Sequence, residues 1–259
     1  MNELTITKLR NGVWNFTEQA PGTAVDAYLV VGSERALMID ALQDVTGLYN
    51  EVRKLTNLPL GLALTHGHFD HAGASTQEFA DAGCTIYMDM EDYPVLTGYS
   101  TRTFSRDIFT HLEDGRIFDL GGICLETVAV AGHTPGSVIF LDRTAKEVFS
   151  GDSFGSGPIW LQLPDSLPLS RYQANLERAM QKLSDIPELL LRVGHKNQSP
   201  EALGPSYLQD LLYTVKAVRD GSLGGETQEM EMRGVKFPFA IASHGKMLGM
   251  FYSPEHIKE

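Results

Sequence analysis

Residues 66–71 read His-Gly-His-Phe-Asp-His, which puts His66, His68, Asp70 and His71 within six positions. Imidazole nitrogens and carboxylate oxygens are the donors that zinc and related transition ions take, and the alternating spacing sends successive ligands to different sides of a loop. The cluster follows directly on the apolar run Leu60-Gly-Leu-Ala-Leu64, so it reads as the exit loop of a strand. Three more potential ligands share the setting of apolar run, glycine, ligand: His133 after Val128-Ala-Val-Ala-Gly, Asp152 after Val148-Phe-Ser-Gly, and His195 after Leu189-Leu-Leu-Arg-Val-Gly. A glycine permits a sharp turn where a strand ends, and strand ends are where open α/β folds place their sites. Five histidines and two aspartates are enough for two divalent ions with positions left open for water and substrate. Zn2+ suits these donors best; Mn2+ and Fe2+ also accept them.

The elements that must carry these residues are short apolar segments alternating with amphipathic stretches, the pattern of strands and helices taking turns. Strands are expected at Val13–Thr17, Ala27–Val31, Ala36–Asp40, Gly61–Thr65, Thr85–Met88, Ile123–Ala131, Ser137–Leu141, Glu147–Ser150 and Leu189–Val193, with three more at Thr227–Met232, Lys236–Ala242 and Lys246–Tyr252. Ser75-Thr-Gln-Glu78 and Ser170-Arg-Tyr-Gln173 fit capping boxes and open two helices. In the second, Tyr172, Leu176, Ala179, Met180 and Leu183 recur at helical spacing, while Pro205 opens a further helix through Val218 that Gly221 ends. With no Pro- or charge-rich linker in the chain, residues 1–259 are expected to form one α/β domain.

Charge narrows the partners. Acidic residues number 33 against 21 Lys and Arg, a formal net charge of -12, which disfavours nucleic acid and anionic membrane surfaces. The first ten residues contain no apolar signal segment and no apolar run approaches the length that crosses a bilayer, so a cytoplasmic, soluble protein is expected. Cys84 and Cys124 stand apart from each other and from any CxxC, against a disulfide framework. There is no GxSxG, no GxGxxG opening a helix and no GxxxxGK[ST], which weakens serine-hydrolase, dinucleotide and P-loop readings.

The order HxHxDH, then a distant His, Asp and His, resembles the metallo-β-lactamase superfamily of hydrolases, and the resemblance runs from the strands near residue 13 to His195. It implies a four-layer αββα sandwich with the site along one edge of two sheets. It also implies His66, His68 and His133 on a first metal, Asp70, His71 and His195 on a second, and Asp152 between them. Asp40, closing Ala36-Leu-Met-Ile-Asp, matches an acidic residue that supports the site in this family, although its neighbours Ala41 and Leu42 depart from the usual small residue and glycine.

Chemistry agrees with the resemblance: a water bridging two cations is a hydroxide at neutral pH, one metal polarises the scissile carbonyl, and Asp70 orients the hydroxide and passes a proton to the leaving group. The expected activity is hydrolysis of an ester-like bond, meaning a thioester, lactone or β-lactam, in a small acyl substrate. The same ligands also serve phosphodiester cleavage, or persulfide oxidation at one iron, within the superfamily; the acidic surface opposes the first, and His68 is the zinc-hydrolase choice where oxygen-reducing diiron members usually carry glutamate. A metal-stabilised sensor is the non-enzymatic alternative, and seven ligands around an open site argue against it. Phe154–Leu167, with Trp160 among Pro158, Pro164 and Pro168, is expected either to wall the pocket or to pack in the core. Tyr99–His111, with Arg102 and Arg106, reads as an irregular insertion; Lys196 and Tyr207 are weaker substrate contacts, and His111, His244 and His256 fall outside the ligand pattern.

Overall fold

The computed structural model describes residues 3–20, 23–99, 102–199, 202–232 and 234–258. A seven-stranded sheet takes its strands in chain order: β1 (Glu3–Arg10), β2 (Val13–Ala20), β3 (Thr23–Val31), β4 (Ala36–Ile39), β5 (Leu60–Ala63), β6 (Thr85–Met88) and β7 (Phe109–His111). Its first strands are an antiparallel meander; from β4 onward the pairing is parallel. A second sheet is built from β8 (Ile117–Asp119), β9 (Cys124–Ala129), β10 (Val138–Asp142) and β11 (Glu147–Gly151). A third sheet begins with β12 (Ile159–Leu161), after which β13 (Leu190–Val193) returns to the second sheet as the parallel neighbour of β11. The third is completed by β14 (Gln228–Met232), β15 (Val235–Ala242) and β16 (Met250–Tyr252), in the order β12-β16-β15-β14.

Period-two alternation sorts side chains to the two faces of each large sheet. On β3, β4 and β5, Tyr28, Val30, Leu37, Ile39 and Ala63 meet Leu125, Val138, Phe140 and Phe149 of the second sheet, an apolar layer between the sheets. The intervening Val25, Ala27, Leu29, Met38 and Leu62 face outward and are covered by α1 (Leu48–Arg53), α2 (Ser75–Asp81) and α3 (Tyr93–Tyr99), which contribute Leu48, Val52, Phe79 and Leu96. On the far side, Val128, Ile139, Leu141 and Val148 are covered by α4 (Leu169–Leu183) and α5 (Pro205–Asp220) through Tyr172, Leu176, Leu211 and Val215. Helices, sheet, sheet, helices is the expected αββα order. Each fully buried Leu, Ile or Phe in these layers contributes about 1.5–3 kcal/mol.

Both capping boxes fail. Helix α2 begins at Ser75 itself, whose hydroxyl donates to the Val45 carbonyl, while the Glu78 carboxylate accepts from the backbone N–H groups of Gly47 and Tyr49. Helix α4 begins at Leu169 after Pro168, and Gln173 bonds Glu177 and Arg219 instead of the helix start. In both places long-range partners outcompete the local bond. The Pro205 start and the Gly221 stop hold: Pro205 occupies the first turn, and Gly221 takes the left-handed conformation at φ +83°. Residues 99–111 are more regular than expected, with a turn of 3-10 helix at Arg106–Ile108 leading into β7; Ser100 and Thr101 lie outside the described residues. Of the expected last strand, 246–252, only Met250–Tyr252 pairs.

Candidate metal centre

Four strand exits deliver the ligands to one edge of the two central sheets: β5 leads to His66–His71, β9 to His133, β11 to Asp152 and β13 to His195. The structure brings all seven side chains together. They form three overlapping groups, His66/His68/His133, His66/His71/Asp152 and Asp70/His71/His195, with the donor atoms of each group within 4.8 Å of one another. The middle group joins a residue of each outer group to Asp152. Asp152 also reaches His133 at 3.8 Å and His195 at 3.3 Å.

Four of the five imidazoles are held by the outer nitrogen. Asp40 closes β4 in the left-handed conformation, φ 65°, and turns its carboxylate inward, where it accepts from Thr65 N at 2.7 Å and Thr65 Oγ1 at 2.9 Å. The Thr65 hydroxyl proton is thereby used, so its oxygen accepts from His66 Nδ1 at 3.0 Å. The second Asp40 oxygen also takes His71 Nδ1, at 2.9 Å. His133 Nδ1 donates to the Trp160 carbonyl and His195 Nδ1 to the Ala24 carbonyl, both at 2.6 Å. His68 is inverted: its Nε2 faces Asp165 at 3.6 Å, and its Nδ1 lies 2.9 Å from His133 Nε2. An outer acceptor fixes the tautomer and leaves the other nitrogen's lone pair pointing inward, as metal-bound histidines require.

The donors fit divalent ions. His66 Nε2 and Asp152 Oδ1 are buried without a hydrogen-bond partner, a costly condition that a cation at this spot relieves. Burial, then the neighbouring imidazoles, depress His66 well below the usual histidine range and His133 to about 4. At His71 and His195 burial acts the same way but is outweighed by Asp152 and its neighbouring carboxylates, holding His71 up to about 10 and raising His195 well above the ordinary value. Asp70 and Asp152 are held low by His71 and His195 against their own burial. At neutral pH the metal-free protein therefore carries neutral imidazoles around His66 and His133, and imidazolium–carboxylate pairs around His71 and His195. Because a metal takes only the neutral ring, a divalent ion entering at Asp70, His71 and His195 is expected to displace about two protons, and His66 and His133 are expected to release few. Zinc affinity at the former group should rise with pH toward about 10. Calorimetric titration in buffers of differing ionisation enthalpy reads both numbers.

The glycines before the ligands act mostly through close approach rather than through a turn. Only Gly151 has a positive φ, +48°; a Cβ at Gly132 would collide with the Tyr172 ring, and one at Gly194 with Asp152 Oδ1 and His71 Cε1. Gly194→Ala is expected to cut zinc affinity about 10–100-fold by displacing two ligands while the fold persists, checked by competition with a chromogenic chelator and by circular dichroism.

Sequence reasoning missed several positioning groups. Asp92, fully buried, accepts from Gly67 N at 2.7 Å, Thr134 Oγ1 at 2.6 Å and Gly136 N at 2.6 Å, tying the His66–His71 loop to the loop of His133. Asp26 accepts from Lys196 N at 2.7 Å and so steadies the chain after His195. Neither sits in a motif. Lys196 turns its Nζ to Asn15, 2.8 Å away, and Tyr207 is a core residue whose hydroxyl accepts from Gly155 N. Arg102 pairs with Asp44, and Arg106 stacks on Tyr93. His111 accepts from Met90 N, and His244 stacks on Tyr213, both outside the cluster.

A cavity of about 320 Å3 opens onto His68, Asp70, His133, Asp152 and His195, and its apolar wall is Phe69, Pro158, Ile159, Trp160, Leu163 and Met232. Trp160 thus takes the wall position.

The pattern of the metallo-β-lactamase superfamily matches residues 20–195, more than half of the chain. The chain belongs to the metallo-β-lactamase superfamily. By family and fold it is a metallohydrolase, and the match ends at His195, ahead of α5 and β14–β16. Among curated relatives it is 29% identical to the acyl-coenzyme A thioesterase MBLAC2 of Gallus gallus over 190 residues, covering 62% of this chain and 68% of that one. It is 28% identical to the hydroxyacylglutathione hydrolase GloC of Haemophilus influenzae over 174 residues, 62% of this chain and 80% of the relative. The metallo-β-lactamase of Pontibacter korlensis has the same fold, with TM-score 0.64 at 20% identity over 83% of this chain and 99% of that one. Among the described residues no helix is long and apolar enough to cross a membrane.

Proposed function

We propose that this metallohydrolase cleaves the thioester, or a related ester-like bond, of a small acyl substrate in the cytoplasm. Two divalent ions, most simply Zn2+, would be held by His66, His68 and His133 and by Asp70, His71 and His195, with Asp152 shared. The observation that carries the reading is the set of outer-nitrogen contacts: His66, His71, His133 and His195 are each held from behind by an oxygen acceptor, so that their inner nitrogens, once free of protons, face one spot lined by two carboxylates. Bound there, the ions supply an activated water near neutral pH and positive charge opposite the developing oxyanion.

The chain's own residues do the rest. Asp70, 3.5 Å from His195 through Oδ2 and on the cavity surface, is ionised at neutral pH and is the proton acceptor for the attacking water. A thiolate leaves with little need of protonation because thiols have a pKa near 8.5, so one carboxylate suffices for a thioester. Phe69, Trp160 and Leu163 exclude water and strengthen the electrostatics within. One relative is named an acyl-coenzyme A thioesterase and another a hydroxyacylglutathione hydrolase, and these names support reading thioesters ahead of lactones and β-lactams.

Zinc-, manganese- and iron-loaded protein should be assayed on acyl-coenzyme A and acyl-glutathione thioesters, an acyl lactone and a β-lactam, with an oxygen electrode and glutathione persulfide in parallel. Thioesters should turn over fastest. Oxygen uptake by the iron form, faster than every hydrolysis, would overturn the proposal.

A further inference from the structure

The third sheet joins the apolar layer of α4 and α5 through Ala240, Met250 and Tyr252. Strand β12 pairs in parallel with β16, and β15 and β14 extend that sheet outward, so a C-terminal segment beyond the family match is stitched to a strand beside the metal centre. The stitching is tight. Ile159 N donates to the Gly249 carbonyl at 3.0 Å, the Trp160 and Phe251 rings lie 5.7 Å apart, and Phe251 meets Phe239 of β15 at 5.5 Å. At the far edge, Met232 ends β14 and reaches the cavity, while Met230, on the same strand face, takes Gln162 Nε2 through its sulfur at 3.8 Å. The cavity therefore has two floors of different chemistry: the ligand carboxylates and imidazoles on one side, and Phe69, Trp160, Leu163 and Met232 on the other.

We propose that the C-terminal sheet is the acyl-selecting element of this enzyme, and that Met232 and Trp160 form the wall along which a straight apolar acyl chain lies, so that longer chains are preferred until the cavity is full. The proposal rests on the hydrolase reading above and names its substrate class. Three features carry it. The wall is contiguous with Asp70 and Asp152, so a chain lying on it presents its carbonyl end to the ligand cluster. Met232 is unbranched and apolar and the Trp160 ring is flat, surfaces against which methylenes gain contact. Finally, the strand that carries Trp160 also supplies the carbonyl that holds His133 Nδ1, so the wall is positioned relative to the ligands by a 2.6 Å hydrogen bond and does not drift independently of them. A volume of about 320 Å3 lies at the small end of ligand cavities, which suits a short to medium acyl chain over a bulky bicyclic ring system.

The test is a chain-length series on zinc-loaded, full-length protein. Acyl-coenzyme A thioesters from acetyl to decanoyl should show kcat/KM rising about threefold to fourfold per methylene and then levelling, the value expected of one buried methylene. In Met232→Gln, which keeps the length but adds an amide, the octanoyl-to-acetyl ratio of kcat/KM should fall about tenfold, mostly through KM; Met232→Leu should restore it. Binding supplies a readout free of turnover. Trp14→Phe leaves Trp160 as the only tryptophan, and its fluorescence should report butanamide, hexanamide and octanamide binding with the same increment per methylene. A flat series in both assays, or a Met232→Gln ratio equal to wild type, would overturn the acyl wall while leaving the hydrolase reading intact. Length-dependent amide binding without hydrolysis of any thioester would do the reverse.

Discussion

Asp152→Ala is expected to abolish activity, lowering kcat/KM on the best substrate on the order of 10^4-fold or more, with no recovery in excess zinc. Asp152 is the residue that both halves of the site share: it lies 3.5 Å from His71, 3.8 Å from His133 and 3.3 Å from His195. Losing it removes the one negative charge that both halves face and leaves His71 and His195 with less to hold their protons, so both imidazoles relax toward neutrality in the metal-free protein. The fold should persist, because the apolar layers do not depend on this side chain. Elemental analysis of the variant should show less than one tightly held metal. Wild-type metal content in Asp152→Ala would mean that the carboxylate is not shared.

Asp70→Asn should reduce kcat about 10^2–10^4-fold while thermal stability changes by no more than about 1 kcal/mol. The amide preserves the volume of the side chain and its place at the cavity surface, but it carries no charge toward His195 and cannot accept a proton from water. Two roles are separable. If Asp70 acts only as a ligand, raising the zinc concentration restores the rate; if it also handles the proton, full metal occupancy leaves the rate low. An Asp70→Asn protein with unchanged metal content and unchanged kcat would exclude both.

The ligands were legible in the sequence because metal chemistry compresses them: His66, His68, Asp70 and His71 share one loop, and His133, Asp152 and His195 repeat the order apolar run, glycine, ligand. Their common location follows from strands of two sheets ending at one edge. What supports them was not legible. The exception is Asp40, to which the resemblance pointed; Asp92, Asp165 and the carbonyls of Ala24 and Trp160 act on partners far away in the chain, and a lone aspartate carries no local sign of whom it will meet. The strands β7, β8 and β12 have three residues each, too few to display a period, whereas β1, an edge strand, does alternate Leu4 and Ile6 with polar residues and was open to the same reading as its neighbours. The two capping motifs misled for the opposite reason: Ser75, Glu78 and Gln173 fit the local pattern but found tertiary partners.

Metal content per chain is the most direct measurement of the central claim. Protein purified without chelator, reconstituted with zinc and desalted, should retain two tightly bound equivalents by elemental analysis, and anomalous scattering at the zinc edge should place one beside His66, His68 and His133 and the other beside Asp70, His71 and His195. Retention of no more than one equivalent under saturating zinc, or a metal peak away from Asp152, would contradict a dinuclear centre built from these seven side chains.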